Sequence, residues 1–364
     1  MLRIQNPLYM YVLILIVSYC FIYYVFSNSS LAVSHIKNHL YLPENHNGTN
    51  DNGKLLITWF RRPGWYPKNY NMSKCEYKNC IISDDQANLN KSYAVLYSYR
   101  HLSKNIPFKP KNQYWIIANF ECPLSDGPMS RRWSTQFDVF YSYLHDSDIM
   151  GTIPNLELRS KILEKNYSQI FKVKTKFAAW AVSNCKTQSR RAAYINKLKE
   201  YGIGVDVYGG CGNKTVCNHN TNKQCHILLS KRYKFYLAFE SSICKDYVTE
   251  KFANSYDESH DSLIIYRGAP NVREIFPEKI YIKTLDFQNV KSLAEYLLSV
   301  GSSEEKYTAL LKQKHRYRMN YRNYYCSFCE WATNSQKSKP AHIKRDFNEW
   351  FRTNKCRTVH TDVV

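Results

Sequence analysis

The chain has 364 residues and a formal net charge of +21, with 44% hydrophobic and 15% aromatic residues. This length allows two domains of ordinary size, and the composition supports hydrophobic cores, which excludes a wholly disordered chain. The positive charge indicates an anionic partner, such as nucleic acid, a membrane surface or a phosphorylated substrate.

The N-terminal segment predicts a membrane anchor. Residues 8–26 form a run of 19 without a charged side chain, which is long enough to span a bilayer. A cleaved signal peptide would have a shorter apolar core and a small-residue cleavage site, and neither is clear here. We therefore expect a type II membrane protein with a cytoplasmic tail at 1–7, a signal anchor at 8–26, a stem at 27–53 and a luminal remainder.

Glycosylation sequons and cysteines support the luminal placement. The chain has five Asn-x-Ser/Thr sequons, of which Asn28 lies too near the membrane for use. We expect N-glycans at the other four: Asn47, Asn71, Asn166 and Asn213. The 12 cysteines fit a compartment in which disulfides form. A luminal domain also argues against nucleic acid as the partner, although 31 tyrosines among basic residues could stack on bases.

The first half of the folded region has the pattern of an α/β domain, expected at 54–172. Apolar runs predict strands at 55–60, 92–99 and 114–120. Glu121 directly follows the last of these strands. It should therefore lie at the carboxyl end of a sheet, where open α/β sheets bind their ligands.

The second half predicts another α/β domain, at 173–335, followed by a basic tail at 336–364. A strand at 177–182 leads to a helix that begins at Ser189, whose apolar face carries alanine, isoleucine and leucine. A further strand ends in glycines, and a cysteine-rich loop at 211–225 follows, in which we expect a local disulfide.

The stretch 233–251 provides the strongest functional evidence in the sequence. An apolar run at 235–239 predicts a strand buried on both faces, and the run stops at Glu240. A loop follows, then Asp246 as the expected N-cap of a helix, and then a strand at 262–266. A phosphate or sugar would bind beyond the strand end, because backbone N–H groups and the helix dipole favour anions there.

Within this stretch, FYLAFESS followed by DYVTEK resembles the signature of the α1,3-fucosyltransferase family, and the resemblance covers about 54–329. It implies an α/β, GT-B-like fold in which two Rossmann-type domains face a cleft. It also implies an inverting Golgi membrane enzyme that moves L-fucose from GDP-β-L-fucose in α1,3 linkage to GlcNAc of glycoprotein or glycolipid glycans. Both antenna GlcNAc and innermost N-glycan GlcNAc remain open as acceptors. The segment YGGCGN is closer to invertebrate and core-type members.

The resemblance also assigns residues on the acceptor and donor sides. NFECP is similar to the family's NFE-S-P motif, which implies that Glu121 is the general base, with Cys122 in place of the usual Ser. SNCKTQSRRAAY is similar to the family's SNC…S-A-R segment. Arg191 is favoured over Arg190 there, because Tyr194 then falls where the family has an aromatic residue.

Five residues would then bind GDP-fucose. Arg191 and Lys251 would balance the charge that develops on the GDP leaving group. Glu240, Tyr247 and Glu250 would contact the ribose or the fucose, and Glu250 would also stabilise the electron-poor sugar ring. Two cations at the diphosphate would replace a metal, so no cofactor is expected, although Mn²⁺ could stimulate the enzyme.

The cysteine pair Cys326 and Cys329 has two readings. From spacing alone it could be half of a zinc site, but no second C-x₂-C and no nearby histidine pair completes it. It is similar to the family's terminal C-x₂-C, which implies disulfides to Cys75 and Cys80 in an order that remains open.

Besides Cys122, two positions and one segment depart from the family pattern. Ser241 stands where the family has Asn, and Leu144 stands where it has Arg, in a stretch that ends in a D-x-D match at 146–148. That stretch belongs to the acceptor side in this family, so we assign it no metal. The segment 257–262 lacks the usual Gly and Pro turn. The alternative function is therefore a catalytically inactive glycan-binding relative. An active enzyme is favoured because the proposed catalytic groups are all retained: Glu121, Arg191, Glu250 and Lys251.

Overall fold

The fold is described from a computed structural model of residues 48–50, 52–64, 66, 68, 71–151, 155–212, 223–320, 325–338 and 345–359. Several predicted features lie outside these residues: the cytoplasmic tail at 1–7, the signal anchor at 8–26, most of the stem, Asn47 and Asn213. Within them, no helix is both long and apolar enough to cross a membrane. The sequons at Asn71 and Asn166 are exposed.

Six parallel strands form the first sheet, in the order β2-β1-β3-β4-β5-β6. They are β1 (Leu55–Phe60), β2 (Cys80–Ser83), β3 (Ala94–Ser98), β4 (Tyr114–Asn119), β5 (Val139–Ser142) and β6 (Ile149–Met150). All of β4 is buried, which explains its continuous apolar sequence, because both faces of a parallel sheet are covered. The order reverses between β1 and β3, and ligands of doubly wound sheets bind at such a reversal.

The described chain joins this sheet earlier than predicted. Residues 48–50 were expected to belong to the stem, but the carbonyl of Gly48 accepts a hydrogen bond from Leu56 N at 2.8 Å. Gly48 has φ +64°, and a Cβ there would lie 2.6 Å from Tyr93 Cα, so both its backbone conformation and its close packing require glycine. The fold therefore begins before Lys54.

Five parallel strands form the second sheet, in the order β12-β11-β10-β8-β9. They are β8 (Lys176–Ala181), β9 (Val205–Tyr208), β10 (Tyr233–Phe239), β11 (Leu263–Arg267) and β12 (Ile282–Lys283). The strand order reverses between β8 and β10, so this sheet is also doubly wound. A separate antiparallel ribbon pairs β7 (Asn155–Leu158) with β13 (Tyr317–Asn320).

Ten α-helices occur among the described residues. They are α1 (Arg131–Ser134), α2 (Tyr167–Val173), α3 (Arg191–Glu200), α4 (Lys223–Ser230), α5 (Glu250–Ala253), α6 (Val272–Ile275), α7 (Val290–Ser302), α8 (Glu304–His315), α9 (Cys326–Ser338) and α10 (Phe347–Arg352). The sequence did not predict α4, which lies within and beyond the expected cysteine-rich loop. In that region Cys211 pairs with Cys185, and Cys225 is also disulfide-bonded.

The helix α9 was predicted to belong to the second domain, at 173–335, but it packs on the first sheet. Its residues Phe328 and Ala332 are buried in the core of the first sheet, against strand residues such as Leu55. The structure also assigns the order of the two long-range disulfides, Cys75–Cys326 and Cys80–Cys329. Residues 326–335 therefore pack with the first half of the chain, although sequence order places them after the second sheet.

The C-terminal residues 345–359 are also part of the fold. Phe347 and Phe351 of α10 are buried among residues of β3, β4 and β5, and Cys356 forms a disulfide with Cys244. The prediction of a separate basic tail at 336–364 is wrong for these residues, because composition alone does not reveal two phenylalanines that fit a distant core.

The segment 257–262 forms its turn without Gly or Pro. The carboxylate of Asp257 accepts a hydrogen bond from Ser259 N at 2.9 Å, an arrangement that replaces a backbone turn. The buried amine of Lys314 donates to the carbonyl oxygens of His260 and, at 3.0 Å, Ser262. These contacts satisfy backbone oxygens ahead of β11.

Candidate active site

A cleft of about 630 Å³ is lined by residues that follow strands of both sheets. The first sheet contributes residues 98–101 around the end of β3 and 118–121 around the end of β4. The second contributes 181–184 around the end of β8 and 247–251 before and within α5. Because these segments come from the carboxyl ends of parallel strands, the cleft is where two doubly wound sheets would bind ligands. Its volume is in the range of small-molecule sites.

Glu240 directly follows β10, and its side chain is fully buried. The carboxylate accepts hydrogen bonds from Thr249 N at 2.8 Å and from Thr249 Oγ1 at 2.8 and 3.0 Å. Burial raises the pKa of Glu240, and the nearby Lys251 and Thr249 oppose that shift. These hydrogen bonds connect Thr249, at the start of α5, to Glu240, at the end of β10.

Lys251 bridges two carboxylates. Its Nζ lies 2.9 Å from Glu250 Oε1 and 3.5 Å from Glu240 Oε2. Burial disfavours the charged amine, but the two carboxylates outweigh burial and raise the pKa of Lys251. Burial likewise disfavours the Glu250 carboxylate, and Lys251 outweighs it, so the pKa of Glu250 is lowered. The Lys251 side chain is 22% exposed and that of Glu250 is 61% exposed, so both can reach a ligand.

Arg191 is more deeply buried than we would expect of a residue that contacts a diphosphate. It is 2% exposed, and its guanidinium donates to Phe239 O at 2.6 Å and to Asn184 O at 2.8 Å. Burial lowers the pKa of Arg191, and Glu240 opposes that shift. The side chain therefore links the loop after β8 to the end of β10, and its charge lies beneath the cleft.

Tyr247 also lines the cleft, and it is 4% exposed. Its ring packs 5.2 Å from that of Tyr143, which belongs to the first half. Its hydroxyl lies 3.4 Å from Ser241 Oγ, and burial raises the pKa of Tyr247. Ser241, the residue that replaces the family's Asn, thus faces the cleft beside Tyr247.

Asp246 does not cap the following helix as predicted. It has φ +59°, in the left-handed region, and its carboxylate lies 2.7 Å from His145 Nδ1 and 2.7 Å from Asn271 Nδ2. The N-cap of α5 is Thr249 instead. Asp246 therefore connects the two halves of the chain, a role that its local sequence does not reveal.

Glu121 lies on the opposite, first-sheet side of the cleft. Its side chain is 44% exposed, and Oε1 lies 3.6 Å from Arg100 Nη1. Arg100 is itself held by Asp126, with Nη2 3.0 Å from Oδ1. Cys122 is buried, and its thiol donates to Ser242 Oγ at 2.8 Å, so the segment after Glu121 contacts the loop after Glu240.

The D-x-D match lies away from the cleft lining. Asp146 is 2.8 Å from Lys355 Nζ, and Asp148 pairs with Arg345. Leu144 is fully buried in the core. Within the described ranges, no group of three or more His, Cys, Asp or Glu side chains is arranged to hold a metal ion.

Five of the six residues predicted for the site line one cleft: Glu121, Arg191, Tyr247, Glu250 and Lys251. Glu240 does not line it, because its side chain is fully buried behind Lys251. Sequence reasoning missed two residues that hold this arrangement, Arg100 and Thr249. A Thr followed by Glu is a common start of a helix, which could have identified Thr249. Arg100 carries no such local pattern, because its contacts with Glu121 and Asp126 depend on the fold.

Two family models match the chain: "Glycosyltransferase family 10 (fucosyltransferase) C-term" at residues 171–350 and "Fucosyltransferase, N-terminal" at 51–153. Glycoprotein 3-alpha-L-fucosyltransferase A of Drosophila melanogaster is 29% identical over 328 residues, which are 86% of this chain and 63% of the relative. Mouse 4-galactosyl-N-acetylglucosaminide 3-alpha-L-fucosyltransferase 9 is 26% identical over 82% of each chain.

The crystal structure of an α1,3-fucosyltransferase with GDP-fucose has a TM-score of 0.51 and 17% identity, over 80% of this chain and 93% of that chain. The two parallel sheets thus define an α/β protein of the GT-B-like class. The chain belongs to glycosyltransferase family 10, the fucosyltransferases. It spans about three fifths of the length of the Drosophila relative.

Proposed function

We propose that this protein transfers L-fucose from GDP-β-L-fucose to a GlcNAc residue of a glycan, in α1,3 linkage and with inversion at the anomeric carbon. One observation supports this most: Glu121 lines the cleft on the side of the first sheet, and the Lys251–Glu250 pair lines it on the side of the second. An acceptor and a nucleotide sugar can therefore approach each other from the two sides.

The donor would bind on the second-sheet side. Lys251 is the cation on this side that a diphosphate can contact, because its side chain is 22% exposed whereas Arg191 is 2% exposed. Its Nζ lies 2.9 Å from Glu250 Oε1. A diphosphate that binds Lys251 would free the Glu250 carboxylate to face the fucose ring, where positive charge develops. Tyr247 would border the sugar.

Arg191 would support the leaving group indirectly. Its NH1 and NH2 groups each donate to a backbone carbonyl oxygen, so its main roles would be to hold the strand ends and to add positive potential below the diphosphate. Two cations on this side support transfer without a required metal, which remains a proposal. Mn²⁺ could still stimulate the rate through the diphosphate itself.

Glu121 would act as the general base. Its side chain is 44% exposed and lies 3.6 Å from the Arg100 guanidinium, so the carboxylate is accessible to an acceptor hydroxyl in the cleft. In direct displacement, the acceptor O3 loses its proton to Glu121 as it bonds to the fucose anomeric carbon, and the bond to the GDP oxygen breaks. No covalent intermediate forms on the enzyme.

The acceptor and the location are proposed from the sequence and the family. The acceptor would be an antenna or core GlcNAc on a glycoprotein or glycolipid. The chain would be anchored in the Golgi membrane through residues 8–26, with the described residues in the lumen. Nucleic acid is not an expected partner.

The test is a transfer assay with the purified full-length chain in detergent, GDP-fucose and a panel of defined antenna and core N-glycans. We expect fucose in α1,3 linkage on at least one GlcNAc acceptor, and continued transfer in the presence of EDTA. Glycan binding without transfer would indicate an inactive relative instead. Complete loss of transfer in EDTA, restored only by Mn²⁺, would contradict the metal-independent part of the proposal.

A further inference from the structure

The C-terminal segment 345–359, hereafter the C-terminal strap, contacts both halves of the chain beside the cleft. Its last residues, 351–359, lie beyond the C-terminal family match, which ends at 350. The helical part, α10, is anchored in the first half: Phe347 and Phe351 are fully or nearly fully buried, and Asn348 Nδ2 donates to Met129 O at 2.8 Å.

Beyond α10 the strap reaches the second half. Lys245 N donates to Lys355 O at 2.7 Å, and Arg357 N donates to Ile243 O at 2.9 Å. The disulfide Cys244–Cys356 lies between these two hydrogen bonds. The strap is therefore fixed to the loop that follows Glu240.

Arg352 links the strap to the loop that carries Glu121. Its Nη1 donates to Asp126 O at 2.9 Å and also contacts Pro123 O. The Asp126 side chain in turn holds Arg100, whose guanidinium is 3.6 Å from the Glu121 carboxylate. One arginine of the strap thus contacts the backbone of the segment that orients both the carboxylate and its cationic partner.

We infer that Arg352 is a positioning residue for the Glu121 carboxylate and that the C-terminal strap is part of the active-site framework. This inference rests on the proposed function, in which Glu121 takes the acceptor proton. Arg352 does not line the cleft, so we expect it to affect the reaction through the segment that its side chain contacts, residues 121–127. Donor binding depends on the opposite side of the cleft and should not require Arg352.

The test compares Arg352→Met, Arg352→Lys and Arg345→Met in the full-length chain. Methionine keeps most of the length of the side chain but cannot donate to Pro123 O and Asp126 O. Lysine can donate to both, so it is the conservative rescue. Arg345→Met is the matched control, because Arg345 also belongs to the strap and pairs with an aspartate, Asp148, but does not contact residues 121–127.

We expect Arg352→Met to lower kcat by about 10-fold or more, because a small misplacement of a catalytic group can cost as much as 100-fold. GDP affinity by calorimetry should change less than about twofold, with no loss of fold by circular dichroism. Arg352→Lys should recover most of kcat, and Arg345→Met should retain it. Hydrogen exchange should become faster in residues 121–127 of Arg352→Met only.

An Arg352→Met enzyme with wild-type kcat and unchanged exchange in 121–127 would overturn the inference. An equal fall in kcat for Arg345→Met would also overturn it, because the effect would then be general to the strap. If the wild-type chain transfers no fucose, the proposed function fails instead. In that case, hydrogen exchange in residues 121–127, compared between wild type and Arg352→Met, still tests whether Arg352 orders these residues.

Discussion

Lys251→Met should weaken the binding of GDP far more than it weakens the fold. The substitution removes the partly exposed cation that lies beside Glu250 in the cleft. A hydrogen bond to a charged group contributes about 1.5–3 kcal/mol, which corresponds to a loss of roughly 10- to 150-fold in affinity. Glu240 keeps its three contacts with Thr249 at 2.8–3.0 Å, so its buried carboxylate stays hydrogen-bonded.

The assay is calorimetry with GDP at constant ionic strength, followed by kcat with GDP-fucose. Both GDP affinity and kcat should fall, because the diphosphate is bound in the ground state and gains charge in the transition state. Lys234→Met is the matched control: its amine contacts Gly301 O at 2.5 Å in the same half of the chain, outside the cleft lining. GDP affinity within twofold of wild type for Lys251→Met would refute the assignment of Lys251 to the diphosphate.

Two further predictions concern stability. Lys174 is buried, and burial lowers its pKa to about 7. Between pH 9 and pH 7 the unfolded chain therefore binds more protons at Lys174 than the folded chain does. The free energy of unfolding should consequently fall by about 2 kcal/mol as the pH is lowered from 9 to 7. Lys174→Met should remove this pH dependence of the free energy of unfolding, while Ser262 Oγ still donates to the two carbonyl oxygens that Lys174 contacts, those of Ser230 and Tyr233. The same change in unfolding free energy from pH 9 to pH 7 in wild type and variant would contradict this prediction. Replacing Cys244 and Cys356 with alanine opens a loop of 112 residues, which removes up to about 5 kcal/mol. The double variant should melt at a lower temperature without reductant, and an unchanged Tm would argue against the disulfide.

Local sequence patterns identified the parts of the fold that depend on local chemistry. The apolar runs located β1, β4 and β10, because strands buried on both faces must be apolar at nearly every position. The ends of β4 and β10 then located Glu121 and Glu240, because a polar residue after such a run marks the edge of the sheet.

Features that depend on distant contacts could not be predicted in this way. Asp246 is a residue type favoured as an N-cap, but it pairs with His145 of the first half of the chain. The helix α9 follows the second sheet in sequence but packs on the first, and α10 reads only as part of a basic tail. The burial of Arg191 likewise depends on where the carbonyl oxygens of Asn184 and Phe239 lie.

The most direct test of the account is Glu121→Gln, measured as kcat with saturating GDP-fucose and a glycan that the wild-type chain fucosylates. Glutamine is nearly isosteric with glutamate but cannot take the acceptor proton. A positioned base typically contributes about 10²–10⁴-fold, so we expect kcat to fall by at least about 100-fold while GDP affinity and thermal stability stay near wild type. Near-normal kcat in Glu121→Gln would contradict the general-base assignment and would require another carboxylate at the cleft.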